Sequence, residues 1–440
     1  MFFWHCLLLF LKLSKLRYNK LFASNYKKQI LQNIIGTFVF LSSQWIMLIF
    51  VVRIVDYHSA GMFSLAVALT NIFFVVSNYG LRGFQVSDIN SEYTDQQYMV
   101  AKWISAVIGF LICLIFVGVS HYDSLQVFII IIYMVYKSLE SFSELFYGYY
   151  QNNNKFDFIC ISLVIKGVIQ LTAFLTGLFL FSDIRHAIIL MGISIFAVIM
   201  VYDLPRVKKY VNPLVQYNKA ELKKVLKLLK VCLPLVVVSS ATPLLQAIPR
   251  VFFENNYSSE AFGKFSSVTA PAVFFLVFIT CLIIPLIPRF AEYYNSNNRD
   301  GLIRLILTFF GVILALGAVA LVAVFFAGEF TLAVLFGEDI RPYTGVLKTI
   351  TVATILAAFL TVFNIVFLAA RKLVSLAVIL LLGCGICYLV TPYFVGRFGM
   401  DGISYALTVS HSVQIIILAV VFFGLIYKMK KASLMQEVHS

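Results

Sequence analysis

Long apolar stretches separated by short polar ones fill most of the chain. Each stretch is about as long as a helix that crosses a bilayer, and none alternates like a barrel strand. The pattern predicts an all-α polytopic membrane protein with twelve transmembrane helices in two sets. The first set is Leu31–Val55, Ala60–Tyr79, Met99–Val119, Leu125–Tyr150, Phe158–Phe181 and Ile184–Tyr202. The second is Val231–Ile248, Ala261–Ile287, Leu302–Ala327, Leu347–Ala370, Leu373–Val395 and Gly402–Tyr427.

Composition excludes several classes of protein. Of the 440 residues, 61% are hydrophobic and 12% are charged, and the mean hydropathy is +0.94. Soluble domains carry about 25% charged residues. A soluble enzyme, a nucleic-acid-binding module and a disordered chain are therefore excluded.

The net charge of +14 reflects topology. With the N-terminus inside, 25 of the 34 Lys and Arg residues lie on cytoplasmic segments and 7 on external ones, leaving Lys137 and Lys166 mid-span. The positive-inside rule then places both termini in the cytoplasm. We expect the basic segments to contact anionic lipid head groups, not nucleic acid.

Five segments follow from this division. Residues 1–30 are a basic interfacial segment, or the product of an upstream start codon. Residues 31–203 form an N-terminal six-helix lobe, 204–230 a cytoplasmic amphipathic linker, 231–427 a C-terminal six-helix lobe, and 428–440 a cytoplasmic tail. In the linker, Leu222, Val225, Leu226 and Leu229 share one face opposite lysines. This pattern predicts a helix lying on the membrane surface.

The two halves share short sequence elements. Arg53 is followed by Gly61-Met-Phe-Ser at the start of the second span, and Arg250 by Gly263-Lys-Phe-Ser at the start of the eighth. Many transporters consist of two such repeats with the substrate site between them. Spans seven and eight also contain several prolines, which indicate either hinges or static kinks.

Charged residues inside spans are the most informative signal, because each costs about 2.5–3.5 kcal/mol on insertion scales. In span four, Lys137, Glu140, Glu144, Tyr147 and Gln151 fall on one helix face.

Lys166 lies near the middle of span five. Two interpretations stay open for the charges of spans four and five. Lys137 with Glu140, or Lys166 with Glu144, can form ion pairs that only join helices. Alternatively, the face lines a solvated cavity, in which the cations suit an anionic substrate such as a pyrophosphate. The carboxylates would then be candidates for binding a coupling H⁺ or Na⁺.

Span two ends in a glycine-flanked basic segment, where Gly80 and Gly83 enclose Arg82, and Gln85 and Asp88 follow. The simplest interpretation is a glycine helix cap with an arginine at the head groups.

Cofactor and metal chemistry find no support in the sequence. Cys384 and Cys387 form a CxxC pair inside a predicted span without a nearby His or carboxylate, which favours packing. The phosphate-binding loop G-x-x-x-x-G-K-[ST] is absent. We therefore expect no metal and no cofactor.

Several of these strings together resemble the Wzx-type flippases of the multidrug/oligosaccharidyl-lipid/polysaccharide (MOP) exporter superfamily. They are GLRGFQVSD, the span-four pattern E-x-x-x-E-x-x-Y-G-x-x-Q, Lys166-Gly167, the IPR ending at Arg250 with AFGKFS after it, and LFGED at 335–339. The resemblance extends from about Leu31 to Tyr427, and Lys166 stands where the family more readily has Arg.

The resemblance implies a V-shaped pair of six-helix lobes, in a bacterial cytoplasmic membrane, that moves an undecaprenyl-pyrophosphate-linked oligosaccharide by alternating access. It implies coupling to H⁺ or Na⁺ and association with polymerase and chain-length machinery, without enzyme activity. The expected substrate-binding residues are Arg53, Arg82, Lys137, Lys166 and Arg250. The expected ion-coupling residues are Glu140 and Glu144, and the expected cytoplasmic gate residues are Gln85 and Asp88.

Two alternatives compete with this interpretation. A multidrug exporter of the same superfamily would have a cavity dominated by carboxylates. A membrane polysaccharide polymerase or ligase would have a long external loop, whereas the longest loop here is cytoplasmic.

Overall fold

The computed structural model describes residues 20–88, 91–209, 219–283 and 287–439, and within those ranges the chain is helical with no strand. The first half comprises α1 (Lys20–Ile54), α2 (Tyr57–Asn78), α3 (Leu81–Ser87), α4 (Asp95–Val119), α5 (Ser124–Asn152), α6 (Phe156–Phe181), α7 (Ile184–Val198), a π-helical turn (Ile199–Asp203) and α8 (Leu204–Val207). The second half comprises α9 (Lys219–Asn256), α10 (Ser259–Ile283), α11 (Ile287–Asn295), α12 (Arg299–Phe336), a 3-10 turn (Glu338–Tyr343), α13 (Thr344–Ala369), α14 (Leu373–Phe398) and α15 (Met400–His439).

Twelve stretches of the described chain are helical, long and apolar enough to cross a membrane, which confirms the predicted number of spans. They belong to α1, α2, α4, α5, α6 and α7 in the first half and to α9, α10, α12, α13, α14 and α15 in the second. The protein is a multi-pass membrane protein.

The helices form two lobes. Within the first half, α1 packs on α6, α6 on α7, and α2 on α4 and α5; within the second, α9 packs on α14, α13 on α10, α12 and α15, and α14 on α15. The lobes meet where α1 and α2 contact α10, and where α2 and α4 contact α9. We call the end of the bundle that holds Asp203 and Lys219 the linker end, because the segment joining the two lobes begins and ends there.

The predicted surface helix of the linker needs correction. Residues 219–230 are the first part of the 38-residue helix α9 and continue into a span without a break. Val225 and Leu228 are buried, and Gln97 on α4 donates a hydrogen bond to Glu221, at 2.5 Å. The apolar face is thus covered by the first lobe, whereas Leu226 stays exposed.

The ends of the chain also continue into helices. Residues 20–30, predicted to belong to an interfacial segment, are part of α1, and residues 428–439 are part of α15. The rest of the predicted interfacial segment, residues 1–19, and the linker residues 210–218 lie outside the described residues.

In the second lobe, Cys384 and Cys387 of α14 contact backbone carbonyls of α9 near Pro249. Pro249 lies inside α9 and has no N–H, so the carbonyl of Leu245 lacks its usual helical donor. Cys387 of α14 donates its thiol to that carbonyl, at 3.7 Å, and Cys384 donates to the Ala241 carbonyl, at 3.3 Å. The CxxC pair is a packing feature of two helices that meet at a proline.

Candidate functional site

The two Gly-x-Phe-Ser elements meet each other where α2 crosses α10. A Cβ atom added at Gly61 would lie 1.7 Å from the carbonyl oxygen of Ser259. One added at Gly263 would lie 1.9 Å from the carbonyl oxygen of Tyr57. Because any side chain would collide with backbone, the two lobes can approach this closely only with glycine at both positions. The contact lies at the end of the bundle opposite the linker end.

A cavity of about 290 Å³ lies between the lobes, beside this crossing. Its wall includes Ser64 and Ser266, the last residues of the two Gly-x-Phe-Ser elements. The other polar lining residues are Gln44, Asn71, Tyr133, Arg250 and Thr269, and the aromatic ones are Trp45, Phe63, Phe262 and Phe274. The cavity therefore combines polar and aromatic surface from both halves of the chain.

Arg250 is the charged residue of this cavity. The residue is partly buried, and its Nε is a buried donor without a hydrogen-bond partner among the described residues. Trp45 in the same wall has a buried N–H at Nε1 that likewise meets no acceptor in the part of the chain that the structure describes. Buried donors without acceptors are rare in folded proteins, so the cavity is suited to a ligand that supplies acceptor atoms.

Arg53 lies at the contact between the lobes, not in the cavity wall. Its guanidinium donates to the carbonyls of Leu335, at 2.9 Å, Ala333, at 3.2 Å, and Val334. Tyr57 donates its hydroxyl to the carbonyl of Phe336, at 2.9 Å. A first-lobe arginine thus caps the C-terminus of α12 in the second lobe, where a cation is favourable.

A second polar contact joins the lobes at the same end. Gln126 of α5 donates to the Glu254 carboxylate, at 2.6 Å, and to Ser259, at 3.0 Å. All three side chains are buried, and Ser259 also donates to Glu254, at 2.9 Å. Burial, and secondarily the Glu254 carboxylate, raise the pKa of nearby Tyr122 well above its usual value. The two lobes are thus in direct polar contact at this end of the bundle.

The polar face predicted on span four is present, and its charges are paired. Lys137 contacts Glu140, at 2.9 Å, which is one of the ion pairs considered from the sequence. Glu144 accepts from Arg82, at 2.9 Å, and Arg82 also donates to Gln151, at 3.4 Å. The Glu140 side chain is 13% exposed and that of Glu144 33% exposed, so neither carboxylate is fully buried.

Lys166 has a different partner from the one considered from the sequence. It forms an ion pair with Asp203, at 2.5 Å, instead of with Glu144, and it also donates to Ser143 and Tyr147. The two charged side chains are 1% and 0% exposed. Asp203 reaches this position because it ends a π-helical turn, a distortion often found at functional sites. Lys166 presents no surface to the inter-lobe cavity in this conformation.

Gln85 and Asp88 stabilise the segment that follows α2, the first by packing and the second by hydrogen bonds. The side chain of Gln85 packs against Gly148, where an added Cβ would lie 2.0 Å from its Oε1. Asp88 accepts hydrogen bonds from the backbone of Glu92 and Tyr93 and from the Tyr98 hydroxyl. Their proposed gate role remains a prediction.

Several residues of the site were not predicted from the sequence. Gln44, Trp45 and Asn71 line the cavity but are isolated polar or aromatic residues in apolar spans. Ser64 and Ser266 could have been found, because the repeated Gly-x-Phe-Ser element contains them. Lys102 belongs to no motif in the sequence, yet it is buried.

Comparisons with known proteins agree with this architecture. The sequence profile of the family described as "Polysaccharide biosynthesis protein" matches residues 28–294. The capsular polysaccharide biosynthesis protein CapF of Staphylococcus aureus is 23% identical over 319 residues, which cover 72% of this chain and 78% of CapF.

Solved structures identify the fold. An inward-facing multidrug resistance MATE family transporter of the MOP superfamily matches with a TM-score of 0.66 and 13% identity, over 92% of this chain and 96% of the other. An outward-facing MATE transporter matches with a TM-score of 0.62 and 16% identity, over 92% and 97%. The chain has the fold of MATE transporters.

Proposed function

Because the chain belongs to the polysaccharide biosynthesis protein family, we propose that it is a flippase for lipid-linked oligosaccharide repeat units. Its substrate class is a polyprenyl diphosphate that carries a short glycan, destined for a surface polysaccharide. The glycan and diphosphate would cross between the lobes while the polyprenyl tail stays in lipid. Both the family and the transporter fold support a role in transport instead of catalysis.

The observation that carries this proposal is Arg250 in the inter-lobe cavity. It is a cation without an ion-pair partner among the described residues, in a wall shared by both repeats. A diphosphate supplies the acceptors and negative charge that the guanidinium lacks. An organic cation would meet an arginine and no carboxylate among the lining residues, which disfavours a multidrug exporter.

The size of the cavity supports alternating access. About 290 Å³ lies just below the range for ligand pockets, roughly 300–1,000 Å³, so a glycan requires the lobes to separate. We propose that the linker end faces the cytoplasm, as the 25-to-7 distribution of basic residues supports. Glu140 and Glu144 are the proposed binding groups for a coupling H⁺ or Na⁺, because both retain exposure.

Replacement of Arg250 tests the proposed function. We expect Arg250→Gln to weaken diphosphate binding about 10-fold to 100-fold, since hydrogen bonds to charged groups contribute about 1.5–3 kcal/mol. Surface polysaccharide should fall and lipid-linked repeat units should accumulate in the inner leaflet. Both are measured per amount of membrane-inserted protein.

Protein abundance separates this role from a structural one. Arg250→Gln leaves no carboxylate unpaired, so its abundance should equal that of the native protein. Arg250→Lys, which keeps the charge, should retain part of the activity. Arg341→Gln is the matched control, because Arg341 forms an exposed ion pair with Glu338. Normal polysaccharide export by Arg250→Gln would refute the proposal.

A further inference from the structure

A second cavity, of about 260 Å³, lies near the linker end within the first lobe. It is enclosed by the end of α2, by α3, and by α4 and α5. Its wall includes Asn78, Gly80, Arg82, Lys102 and Glu144. It shares no lining residue with the inter-lobe cavity.

Lys102 is the unusual residue of this wall. Its side chain is almost fully buried, with 1% of the residue exposed. The ammonium donates to the carbonyl of Ser77, at 2.8 Å, and to Oδ1 of Asn78, at 3.1 Å. Both acceptors are neutral, and no carboxylate of the described chain lies within ion-pair distance. An ammonium has three N–H donors. Besides these two acceptors, the described chain offers the third donor only the face of the Phe142 ring, whose centroid is 6.0 Å away.

The remaining charges of the wall do not neutralise Lys102. Glu144 lies 2.9 Å from the guanidinium of Arg82, and that contact offsets the charge of Arg82. The wall therefore has two cations and one carboxylate. A buried ammonium without a counter-ion is costly, and a bound anion would remove that cost.

An exposed apolar surface begins at the residue after Lys102. Trp103, Val107 and Leu111 follow Lys102 on α4 and form an exposed apolar stripe on a membrane-spanning helix. Lys102 lies seven residues into α4, about 10 Å from its linker-end start at 1.5 Å per residue. That depth suits the phosphate region of a lipid whose tail lies beside the stripe.

We propose that this cavity, lined by Lys102, Asn78 and Arg82, binds the phosphate or diphosphate group of a membrane lipid. The inference rests on the proposed function, in which this cavity is a docking site for the substrate diphosphate before the diphosphate reaches Arg250. A phospholipid head group offers the same chemistry and is the other source. The volume admits a phosphate-type group but no glycan.

Binding of farnesyl pyrophosphate to the purified full chain tests the proposal. The protein is placed in nanodiscs of phosphatidylcholine, and Kd is measured in an Arg250→Gln background that removes the inter-lobe cation. We expect Lys102→Gln in this background to weaken binding about 10-fold to 100-fold. Lys102→Arg should restore binding, because it keeps the charge.

Lys155→Gln is the matched control, because Lys155 is an exposed cation near the same end of the bundle. The melting temperature without ligand verifies that Lys102→Gln is folded; if it is not, Lys102→Arg and Asn78→Ala supply the comparison. Phosphatidylglycerol nanodiscs separate the two sources. If phosphatidylglycerol competes with farnesyl pyrophosphate at equal affinity, the site binds phospholipid. If it does not compete, the site binds the diphosphate substrate.

Two results would overturn the inference: loss of all binding in Arg250→Gln alone, or unchanged binding in Lys102→Gln. Either result leaves the flippase proposal standing, since that proposal is decided by polysaccharide export in Arg250→Gln.

Discussion

Replacement of Gly61 by alanine is expected to force the lobes apart at the end opposite the linker. The new Cβ would lie 1.7 Å from the Ser259 carbonyl, which is backbone and cannot rotate away. Overpacking of this kind costs about 1–3 kcal/mol. Since the cost falls only on the state in which this end is closed, the population of the open state should rise about 5-fold to 150-fold.

Thiol labelling measures this shift. Ser64, in the cavity wall, is replaced by cysteine in a cysteine-free background, and an impermeant reagent is added outside. We expect slow labelling in the parent and faster labelling with Gly61→Ala or Gly263→Ala. Export should fall because the closed state becomes scarce.

Gly192→Ala is the matched control, because an added Cβ there has no neighbour within 4 Å. Equal labelling of Gly61→Ala and the parent would show that the glycine contact does not hold this end closed. Labelling from the inside alone would reverse the proposed orientation of the protein.

Replacement of Asp203 by asparagine is expected to lower strongly the amount of protein in the membrane. Asp203→Asn leaves the Lys166 charge buried without a counter-ion, and breaking such a pair costs about 3–5 kcal/mol. That is a large share of a typical stability of about 5–15 kcal/mol. We expect much less protein in the membrane, measured by immunoblot and by melting temperature.

The double variant Lys166→Gln/Asp203→Asn separates stability from transport. It replaces the ion pair by a neutral amide pair and should restore abundance. If it is also active, the pair only stabilises the lobe; if it is abundant but inactive, the charge of Lys166 is needed for transport. An abundant Asp203→Asn single variant would contradict the expected cost.

The partly exposed carboxylates should behave differently. Glu144 is 33% exposed and its partner Arg82 27% exposed, so Glu144→Gln leaves no fully buried charge. We expect Glu144→Gln to keep normal abundance, whereas the double variant with Glu140→Gln leaves the Lys137 side chain, 5% exposed, without its partner and should lose part of the protein. Per amount of protein, export by either variant should lose its dependence on the ion gradient. The measurement is export with and without ionophores for H⁺ and Na⁺. Equal ionophore sensitivity of native and double-variant protein would exclude these carboxylates from coupling.

The sequence predicted those structural features that depend only on residues close to one another in the chain. The number of spans followed from runs of apolar residues, because a helix satisfies its own backbone and needs only length and hydropathy to cross a bilayer. The Lys137–Glu140 pair was also visible, since its members are three residues apart on one helix.

Contacts between distant segments were not predictable in the same way. Asp203, the partner of Lys166, is 37 residues away in the chain. It ends a π-helical turn that no sequence pattern predicted. The amphipathic start of α9 could equally face lipid head groups or protein. Only the position of α4 determined that its apolar side is buried.

By itself, the sequence determined the membrane class of this protein, its twelve spans, its two halves and the candidate charges, because hydropathy and repeat spacing are local properties. The tertiary structure alone decided the role that each charge can have. Arg53 caps a helix of the other lobe, and Lys166 is neutralised by Asp203. Arg250 lines the inter-lobe cavity and has no ion-pair partner in the described part of the chain. The physical reason is that the environment of a charge depends on which distant groups the fold brings near it, and one sequence pattern is compatible with several such environments.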